Sequence, residues 1–474
     1  MVVNNYKIEN LEKELYTVEN YNKSIENLIK SWKKDLATFA SLSAAFVGMS
    51  LLPQPTMDFN ILQTIGYYLK FSWYISLPYL SFYFANKFIG VKKNGKKLLI
   101  SKEEIIQNDY SQNKIIFHIV TKGTNYEVAT KNALKTKEMN EYVKEKYGLN
   151  YDYEVRIVTE EEYKENFKDI NDEKIRLVVV PKDFKTERGS KYKGRALEYS
   201  RRIMLENNLL NENNFIYYQD EESFIGEDTI FGILDFIKSK ETYVGRGIIL
   251  YPRNFKKRGL DYWEFYRSGG DLDKLIISNR LNFHGSHFVV NSKVLKEINF
   301  DNEESLVEDF VFYNNVVKNY GENNVKLIKG FCYESPPLSV KDFLKQRGRW
   351  FTGILKEVVH NHNIPRKRKI LTSYYLTAWL SALPSLVAVS LSTIAPTSSL
   401  FHYTLSSILS AYIIFNIFDI YKTGYQLNRN YIQNSLLTHL RVIKGLLMES
   451  LAPWVALYRY LKGKVKDFDV IRKV

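Results

Sequence analysis

Two groups of acidic side chains have the composition of a reaction site. Asp220, Glu221 and Glu222 are consecutive, and three adjacent carboxylates repel one another unless a cation binds; all-oxygen ligation suits Mg²⁺ or Mn²⁺. Glu308 and Asp309 form a second pair, and like-charge repulsion raises the pKa of one member, which suits a general base. The alternatives are an ordinary acidic loop and helix N-terminal acids that favour the helix dipole. The elements around these groups decide between the interpretations.

Two stretches of cationic and aromatic side chains have the composition to bind an anionic leaving group and a sugar. Lys193 and Arg195 lie at a predicted helix start, where positive charge opposes the dipole unless an anion such as a diphosphate binds there. The pentapeptide from Gln346 to Trp350 contains Arg349 as the second of two arginines. A guanidinium binds a diphosphate bidentately, and the indole face suits a sugar ring. A solvated Lys/Arg pair and a basic interfacial helix are the alternatives.

Apolar runs alternate with polar helical stretches between residues 100 and 337, which predicts an α/β domain with a mostly parallel sheet. The predicted strands contain Ile115–Val120, Val155–Val158, Leu177–Val180, Phe215–Tyr218, Gly247–Leu250 and Phe288–Val290. Ligands of such sheets bind at the carboxyl ends of the strands. Candidates for donor binding are therefore Thr121 and Gly123 after the first strand and Glu160 after the second. Gly285 and Ser286 precede the last strand and are candidates for the acceptor pocket.

Charge and apolar segments predict a membrane protein. The chain has 474 residues, a formal net charge of +14 and one cysteine. The basic residues cluster beside apolar segments, so we expect membrane lipids as partners and no nucleic acid. Residues 36–90 and 370–421 are predicted as two transmembrane hairpins whose basic flanks place both termini and the catalytic domain in the cytosol. Residues 1–35 form a polar N-terminal segment, residues 338–369 an interfacial segment, and residues 436–474 an interfacial helix broken by Pro453.

The order of these motifs resembles that of the membrane-bound family 2 glycosyltransferases. Within that group the chain is most similar to the egghead-type β-1,4-mannosyltransferases, and it shares motifs with the cellulose and hyaluronan synthases. The matching stretches run collinearly from about residue 110 to 370 and include Val120–Gly123, Val180–Phe184, Lys193–Leu197, Asp220–Ser223, Gly285–Ser286, Glu308–Asp309, Tyr333–Pro336 and Gln346–Trp350. The resemblance implies a cytosolic GT-A-type, Rossmann-like domain inserted between the two hairpins.

The resemblance also implies a role for each residue. Asp220 and Glu222 would bind Mn²⁺ or Mg²⁺, Asp309 would deprotonate the acceptor hydroxyl, and Glu308 lies beside it. Donor contacts are implied for Thr121, Gly123, Glu160, Lys193, Arg195, Asp220 and Arg349. Acceptor contacts are implied for Gly285, Ser286, Gln346 and Trp350. Glu160 stands where the family usually has Asp, and Glu222 where the polysaccharide synthases have Asp.

The C-terminal residues Phe468, Val470 and Lys473 resemble the gating loop of cellulose synthases, although Ile471 replaces its threonine. A disordered basic tail is the alternative.

These observations together predict a metal-dependent, inverting hexosyltransferase. It would use a nucleotide sugar, GDP-mannose or UDP-glucose, to form a β-linked glycan on a lipid-linked or growing saccharide acceptor. One alternative is a processive polysaccharide synthase that also translocates its polymer. Another is a non-enzymatic membrane scaffold with a degenerate transferase fold.

Overall fold

The computed structural model describes residues 16–50, 60–69, 72–73, 75, 78, 89–239, 243–252, 264–265, 267–272, 285–303, 305–361, 363–394, 422–424, 426–428 and 437–463. Eight strands form one sheet: β1 Lys114–Val120, β2 Asp152–Glu160, β3 Ile175–Val180, β4 Asn214–Asp220, β5 Phe224–Ile225, β6 Val244–Leu250, β7 Phe288–Asn291 and β8 Val325–Tyr333. The strand order is β3-β2-β1-β4-β7-β6-β8-β5.

The sheet is mixed rather than purely parallel. Strands β3, β2, β1 and β4 pair in parallel, as do β6 and β8, whereas β7 is antiparallel to both β4 and β6. The short β5 pairs antiparallel with β8. The predicted α/β class and the six predicted strands are therefore confirmed. The sequence analysis missed β5, which is too short to show a pattern, and β8, whose apolar run is interrupted by Lys326, Lys329 and Gly330.

Eleven α-helices surround the sheet in the described part of the chain. They are α1 Val18–Ser50, α2 Asn60–Leu69, α3 Lys102–Ile106, α4 Tyr126–Tyr147, α5 Tyr192–Glu206, α6 Glu227–Lys238, α7 Val294–Glu297, α8 Glu308–Tyr320, α9 Val340–His360, α10 Arg366–Ile394 and α11 Leu437–Leu461. Local chemistry sets several ends. Ser339 caps α9 by accepting a hydrogen bond from the backbone N–H of Asp342 (3.1 Å). Gly148 ends α4 with a φ of 64°, a conformation that suits glycine.

Alternate side chains of β1 enter two different cores, as expected for a strand buried on both faces. Ile115, Phe117 and Ile119 pack on one face, and Ile116 and Val120 pack on the other. Helices α1, α4 and α6 cover the first face, and α5 and α8 cover the second. The sheet is therefore the middle layer of three, with its carboxyl edge left open for a site.

A third apolar cluster joins the catalytic layers to the C-terminal helices. Val307, at the start of α8, together with Phe310 and Val311, packs with Phe351 of α9 and Leu376 of α10. Ala456 of α11 belongs to the same cluster. Because α8 also packs on the sheet, it links the sheet to the C-terminal helices.

The predicted N-terminal segment and first apolar span share one helix. Helix α1 runs without a break from Val18 to Ser50. Its first part is amphipathic, and Tyr21, Ile25 and Leu28 are buried in the core on the first face of the sheet. Within the predominantly polar N-terminal segment, these three residues form an apolar stripe on α1 that packs against the sheet domain.

The predicted transmembrane hairpins remain predictions. Among the described residues, one segment, Arg366–Ala388 in α10, is long and apolar enough to cross a membrane. Residues 395–421 of the second predicted hairpin lie outside the described residues. Residues 51–59, between the arms of the first hairpin, also lie outside them.

Helix α11 corrects one detail of the sequence analysis. It continues through Pro453, where a break was expected, and α10 likewise contains Pro384. A proline removes one hydrogen bond from a helix. In both helices the carbonyl that loses its partner receives another one from the neighbouring helix.

Candidate active site

The sheet topology brings the predicted residues to one edge. In the parallel register, Val120 at the end of β1 lies opposite Asp220 at the end of β4. Strand β7 runs the other way and starts beside the end of β4, where Phe288 pairs with Tyr218. Gly285 and Ser286, just before β7, therefore reach the same edge.

Lys193 is the residue on which the acidic groups converge. Its ammonium ion-pairs with the Asp220 carboxylate and donates to the Gly285 carbonyl at 2.6 Å. A methyl group placed on Gly285 would lie 2.8 Å from Lys193 Nζ and 3.7 Å from both Asp309 Oδ2 and Glu308 Oε1. Burial disfavours the Lys193 charge, but the carboxylates of Asp220, Glu308 and Asp309 outweigh it and raise the pKa of the ammonium.

Asp309 has the protonation behaviour that a base needs. Burial and the neighbouring Glu308 carboxylate raise the pKa of Asp309 to about 7, against the opposing effects of Lys193 and Arg349. Its Oδ1 accepts a hydrogen bond from the backbone N–H of Phe310 at 2.8 Å, which fixes the carboxyl at the start of α8. A carboxyl with a pKa near neutrality both ionises at physiological pH and accepts a proton readily.

The three members of the acidic triplet have different surroundings. Glu221 accepts hydrogen bonds from the Thr121 hydroxyl and from the Asn125 amide, the latter at 2.5 Å. Asp220 keeps 31% of its side chain exposed, whereas Glu222 is buried. The amide of Asn132, in α4, donates to the backbone carbonyls of Asp220 and Glu221, each at 3.2 Å. Asp220 is therefore held on a fixed backbone with part of its side chain exposed.

The donor set fits a metal ion that arrives with its ligand. Within the described ranges, no three His, Cys, Asp or Glu side chains converge closely enough to hold a metal by themselves. Mg²⁺ commonly binds through one or two carboxylates, with water and substrate phosphates as its other ligands. The exposed Asp220 oxygen and the nearby cations match such a shared site better than a closed protein cage.

The turn after β1 requires a glycine. Gly123 has a φ of +100°, and a Cβ there would lie 2.3 Å from Tyr163 Cβ and 2.7 Å from Thr159 Oγ1. The Thr121 hydroxyl accepts from the Gly123 backbone N–H at 2.9 Å. Both predicted donor-binding residues are thus part of a tight turn held next to Glu221.

Glu160 and Arg195 pair with each other. The Arg195 guanidinium binds the Glu160 carboxylate and the carbonyl of Pro181, and its Nε donates to the Phe184 carbonyl at 3.0 Å. Lys193 and Arg195 lie two residues apart on α5, so their side chains leave the helix on different sides. Lys193 faces the acidic groups, and Arg195 holds the loop after β3.

Ser286 and Glu334 lie beneath the acidic triplet. Ser286 is buried, and its hydroxyl lies 2.8 Å from Ser223 Oγ and accepts from the Asp220 backbone N–H at 3.4 Å. The Ser223 hydroxyl also bonds the buried Glu334 carboxylate at 2.7 Å. Ser286, predicted to touch the acceptor, thus also positions Asp220. Glu334 belongs to the Tyr333–Pro336 motif, to which the sequence analysis assigned no role.

The Gln346–Trp350 segment lies in the middle of α9. Gln346 is buried and its side-chain oxygen accepts from Arg347. The Trp350 ring centroid lies 4.6 Å from the Arg347 guanidinium and 4.7 Å from that of Arg267. Arg349 acts electrostatically on Asp309. The Trp350 ring, which was predicted to contact the acceptor sugar, is therefore in contact with the guanidinium groups of Arg267 and Arg347.

Some residues that contact the Gln346–Trp350 segment carry no sequence signal that predicts this contact. Glu264 and Arg267 lie between β6 and β7 and contact the Gln346–Trp350 helix. Glu449 lies in the helix predicted to be interfacial, and its carboxylate bonds Arg347. The predicted gating residues Phe468, Val470 and Lys473 lie outside the described residues.

Comparison with known proteins supports the resemblance inferred from the motifs. The family described as glycosyl transferase family group 2 matches residues 215–419, a range that includes Asp220, Asp309 and Trp350. The β-1,4-mannosyltransferase egh of Drosophila melanogaster is 33% identical over 221 residues, which are 44% of this chain and 46% of that protein. The β-1,4-mannosyltransferase bre-3 of Caenorhabditis elegans is 29% identical over 319 residues, 63% of this chain and 67% of that protein.

The first of these matches spans about half the length of its relative. Among solved structures, the S. aureus TarS fragment 1–349 is similar at 14% identity with a TM-score of 0.31, covering 76% of this chain and 97% of that one. The α/β architecture described above rests on the strand order of this chain itself. Residues 215–419 thus match the glycosyl transferase family group 2, and the resemblance inferred from the ordered motifs is confirmed.

Proposed function

We propose that this protein transfers a hexose from a nucleotide sugar to a hydroxyl group of a saccharide or glycolipid acceptor, with inversion at the anomeric carbon. The observation that carries the proposal is the meeting of Asp220, Lys193, Gly285 and Asp309 at one edge of the sheet. This arrangement offers a base and a cationic leaving-group site within one cleft.

The chemistry is a single displacement. Asp309 takes the proton from the acceptor hydroxyl, whose oxygen forms a bond to the anomeric carbon. The bond from that carbon to the diphosphate oxygen breaks, and the nucleoside diphosphate leaves with the electron pair. Lys193 and Arg349 supply positive charge where negative charge develops on the leaving group. An α-linked donor therefore gives a β-linked product, and no second carboxylate nucleophile is required.

Asp220, with Glu222, would hold Mg²⁺ or Mn²⁺ together with the diphosphate. When bound, the ion neutralises charge on the leaving oxygens. The Lys193 ammonium now paired with Asp220 would then be shared between that carboxylate and the donor. Glu221 takes no part in this proposal, because its carboxylate accepts the hydrogen bonds of the β1 turn.

The names of the relatives favour mannose as the sugar, with GDP-mannose as the donor and a β-1,4 linkage; UDP-glucose is the second donor to test. Helix α10 and the basic residues at its start favour a protein embedded in a membrane with its catalytic domain in the cytosol. A lipid-linked saccharide is then the acceptor class that the site can reach.

The test is a donor panel offered to detergent-purified protein with Mg²⁺ or Mn²⁺. We expect acceptor-dependent release of nucleoside diphosphate from one donor, and release slower by about two or more orders of magnitude in the Asp309→Asn variant. Size analysis of the product distinguishes a single added sugar from a polymer. Absence of transfer with every nucleotide hexose and glycolipid acceptor, in protein that binds a nucleoside diphosphate, would contradict the proposal.

A further inference from the structure

Helices α10 and α11 each contain a proline in their interior. Pro384 lies within α10 and Pro453 within α11. Because proline has no backbone N–H, the carbonyl four residues earlier in each helix loses its usual donor. These carbonyls belong to Leu380 and Glu449.

Each of these carbonyls accepts a hydrogen bond from a tryptophan of the other helix. Trp454 Nε1 donates to the Leu380 carbonyl at 2.9 Å, and Trp379 Nε1 donates to the Glu449 carbonyl at 3.2 Å. We call Trp379 and Trp454 the crossed tryptophan pair. An indole N–H can only donate a hydrogen bond, so each tryptophan supplies a donor to one of the carbonyls that the prolines leave without one. The two bonds together fix the position of α11 along the axis of α10.

The side chain of Glu449 reaches the helix that carries the Gln346–Trp350 segment. Its Oε2 accepts from Arg347 Nε at 2.9 Å. Arg347 Nη2 donates to Glu264 Oε2, also at 2.9 Å. Arg347 and Glu264 are fully buried, while Glu449 keeps 21% of its side chain exposed. A buried guanidinium depends on such partners, because an unpaired charge in the interior is costly.

The Arg347 contacts determine the rotation of α9 about its axis. Arg347 and Arg349 are two residues apart and therefore point to different sides of the helix. Trp350 follows Arg347 by three residues, and its ring lies 4.6 Å from that guanidinium. When Glu449 and Glu264 hold Arg347 on one side of α9, Trp350 is held against that guanidinium, and Arg349 leaves the helix on a different side, where its charge lowers the pKa of Asp309.

We propose that Glu449 is a positioning residue for the Gln346–Trp350 segment. The crossed tryptophan pair fixes the position of α11 along α10, and thereby keeps the Glu449 carboxylate within reach of Arg347. The inference rests on the proposed glycosyl transfer. It extends the catalytic unit to α11, which begins after residue 419, where the family match ends.

The test compares Glu449→Gln and Glu449→Asp with Glu145→Gln, an exposed glutamate on α4. We expect Glu449→Gln to lower kcat/KM for the acceptor by about ten-fold or more, since small displacements of positioned groups have effects of this size. Hydrolysis of the donor by water should fall less than transfer does, because it needs no acceptor held at Trp350, whereas both reactions share the leaving-group charge of Arg349. Glu449→Asp, which keeps the charge, should recover part of the loss, and Glu145→Gln should match the parent.

Trp454→Phe, which removes the N–H and keeps a ring, is compared with Tyr458→Phe on the exposed side of the same helix. We expect the first to show the same acceptor-specific loss and the second none.

Amide hydrogen exchange gives a readout that needs no activity: Glu449→Gln should speed exchange in residues 345–351 while β1 and β4 remain protected.

Three results would overturn the proposal. They are an unchanged acceptor kcat/KM in Glu449→Gln, an equal fall of transfer and hydrolysis that follows the loss of folded protein, and unchanged exchange in residues 345–351. If the parent protein transfers no sugar, the proposed function fails, and the exchange experiment alone still decides whether Glu449 positions α9.

Discussion

The Asp309 carboxyl is subject to opposing influences that together set its chemistry. Burial and Glu308 raise its pKa to about 7, and Lys193 and Arg349 limit the rise. The folded protein therefore binds this proton more tightly than the unfolded chain. The contribution of the group to stability is full below its ordinary pKa of 3.8 and is lost as the pH rises through about 7. The proposed role as a base requires the ionised form of Asp309, so this group would lower the stability of the fold at the pH at which it acts.

Replacing Asp309 by Asn should preserve folding and nucleotide binding while lowering turnover by about two or more orders of magnitude, as expected for the loss of a general base. In the parent protein, kcat/KM should increase with pH up to a plateau above about 7, because the carboxylate form is the active one. The measurement is a pH–rate profile for both proteins. Near-normal turnover in Asp309→Asn, or a parent profile that falls as the pH rises through 7, would remove Asp309 from the mechanism.

Asp220 is the second residue whose change has a distinct expected result. Asp220→Ala should abolish metal-dependent donor binding, because a buried Glu222 alone leaves the ion under-coordinated. Asp220→Asn, which keeps the shape and an acceptor for Lys193, should show the same loss if charge is what matters. Donor affinity can be measured by calorimetry with Mg²⁺, Mn²⁺ or EDTA. Parent affinity that does not respond to EDTA would count against the metal assignment.

At the scale of elements, α8 links the candidate active site to the C-terminal helices. Its first residues are Glu308 and Asp309, and its middle bonds Arg368 near the start of α10. The Arg368 Nε donates to Asn314 Oδ1 at 2.9 Å, and its Nη1 lies 3.2 Å from Glu322. The sequence analysis attributed the basic run at residues 366–369 to membrane lipid. The structure instead buries one of its four cations in the catalytic domain.

Arg368→Ala should destabilise the fold by about 2–4 kcal/mol, the range for removing one partner of a buried charged network. Arg366→Ala, two residues earlier and exposed, is the matched control and should have little effect. The unfolding midpoint of both variants in detergent measures the difference. Equal midpoints would show that Arg368 is not a structural link between α8 and α10.

At the scale of the whole molecule, the sheet, the Gln346–Trp350 helix and the C-terminal helices form one connected structure. The crossed tryptophan pair joins α10 to α11, Arg347 joins α11 to α9, and the Val307 cluster joins these helices to α8. A site assembled from so many parts of the chain depends on long-range packing. The predicted gating segment, Phe468 to Val474, follows α11 in the chain.

Deleting Phe468 to Val474 should leave a folded, membrane-inserted protein with severely reduced transfer. Arg472 and Lys473 would add cations at the diphosphate, while Phe468 and Val470 would exclude water. Turnover of donor by the truncated and full-length proteins is the comparison to make, with extraction behaviour as the control for insertion. Equal turnover would show that this end is a dispensable tail.

The sequence by itself determined the α/β class of the fold and picked out residues that the structure brings to one edge of the sheet. Buried strands such as β1 and β4 are predicted from their short runs of mostly apolar residues. Parallel topology places the residues that follow such strands at one edge of the sheet. Asp220, Lys193, Gly285 and Asp309 could therefore be selected before any coordinates. Local rules sufficed because each follows or begins a regular element.

Only the tertiary structure decided which of these side chains reach the cleft and which support it. Glu221 binds the β1 turn, Arg195 pairs with Glu160, and Arg347 bonds Glu449 across 102 residues of sequence. None of these pairings leaves a periodic or spacing signal, because each depends on how separate elements pack. The same holds for α11, which passes through Pro453 because Trp379 supplies the hydrogen bond that the proline removes. Sequence patterns report local conformation and burial, whereas partners distant in the chain are chosen by the free energy of the assembled fold.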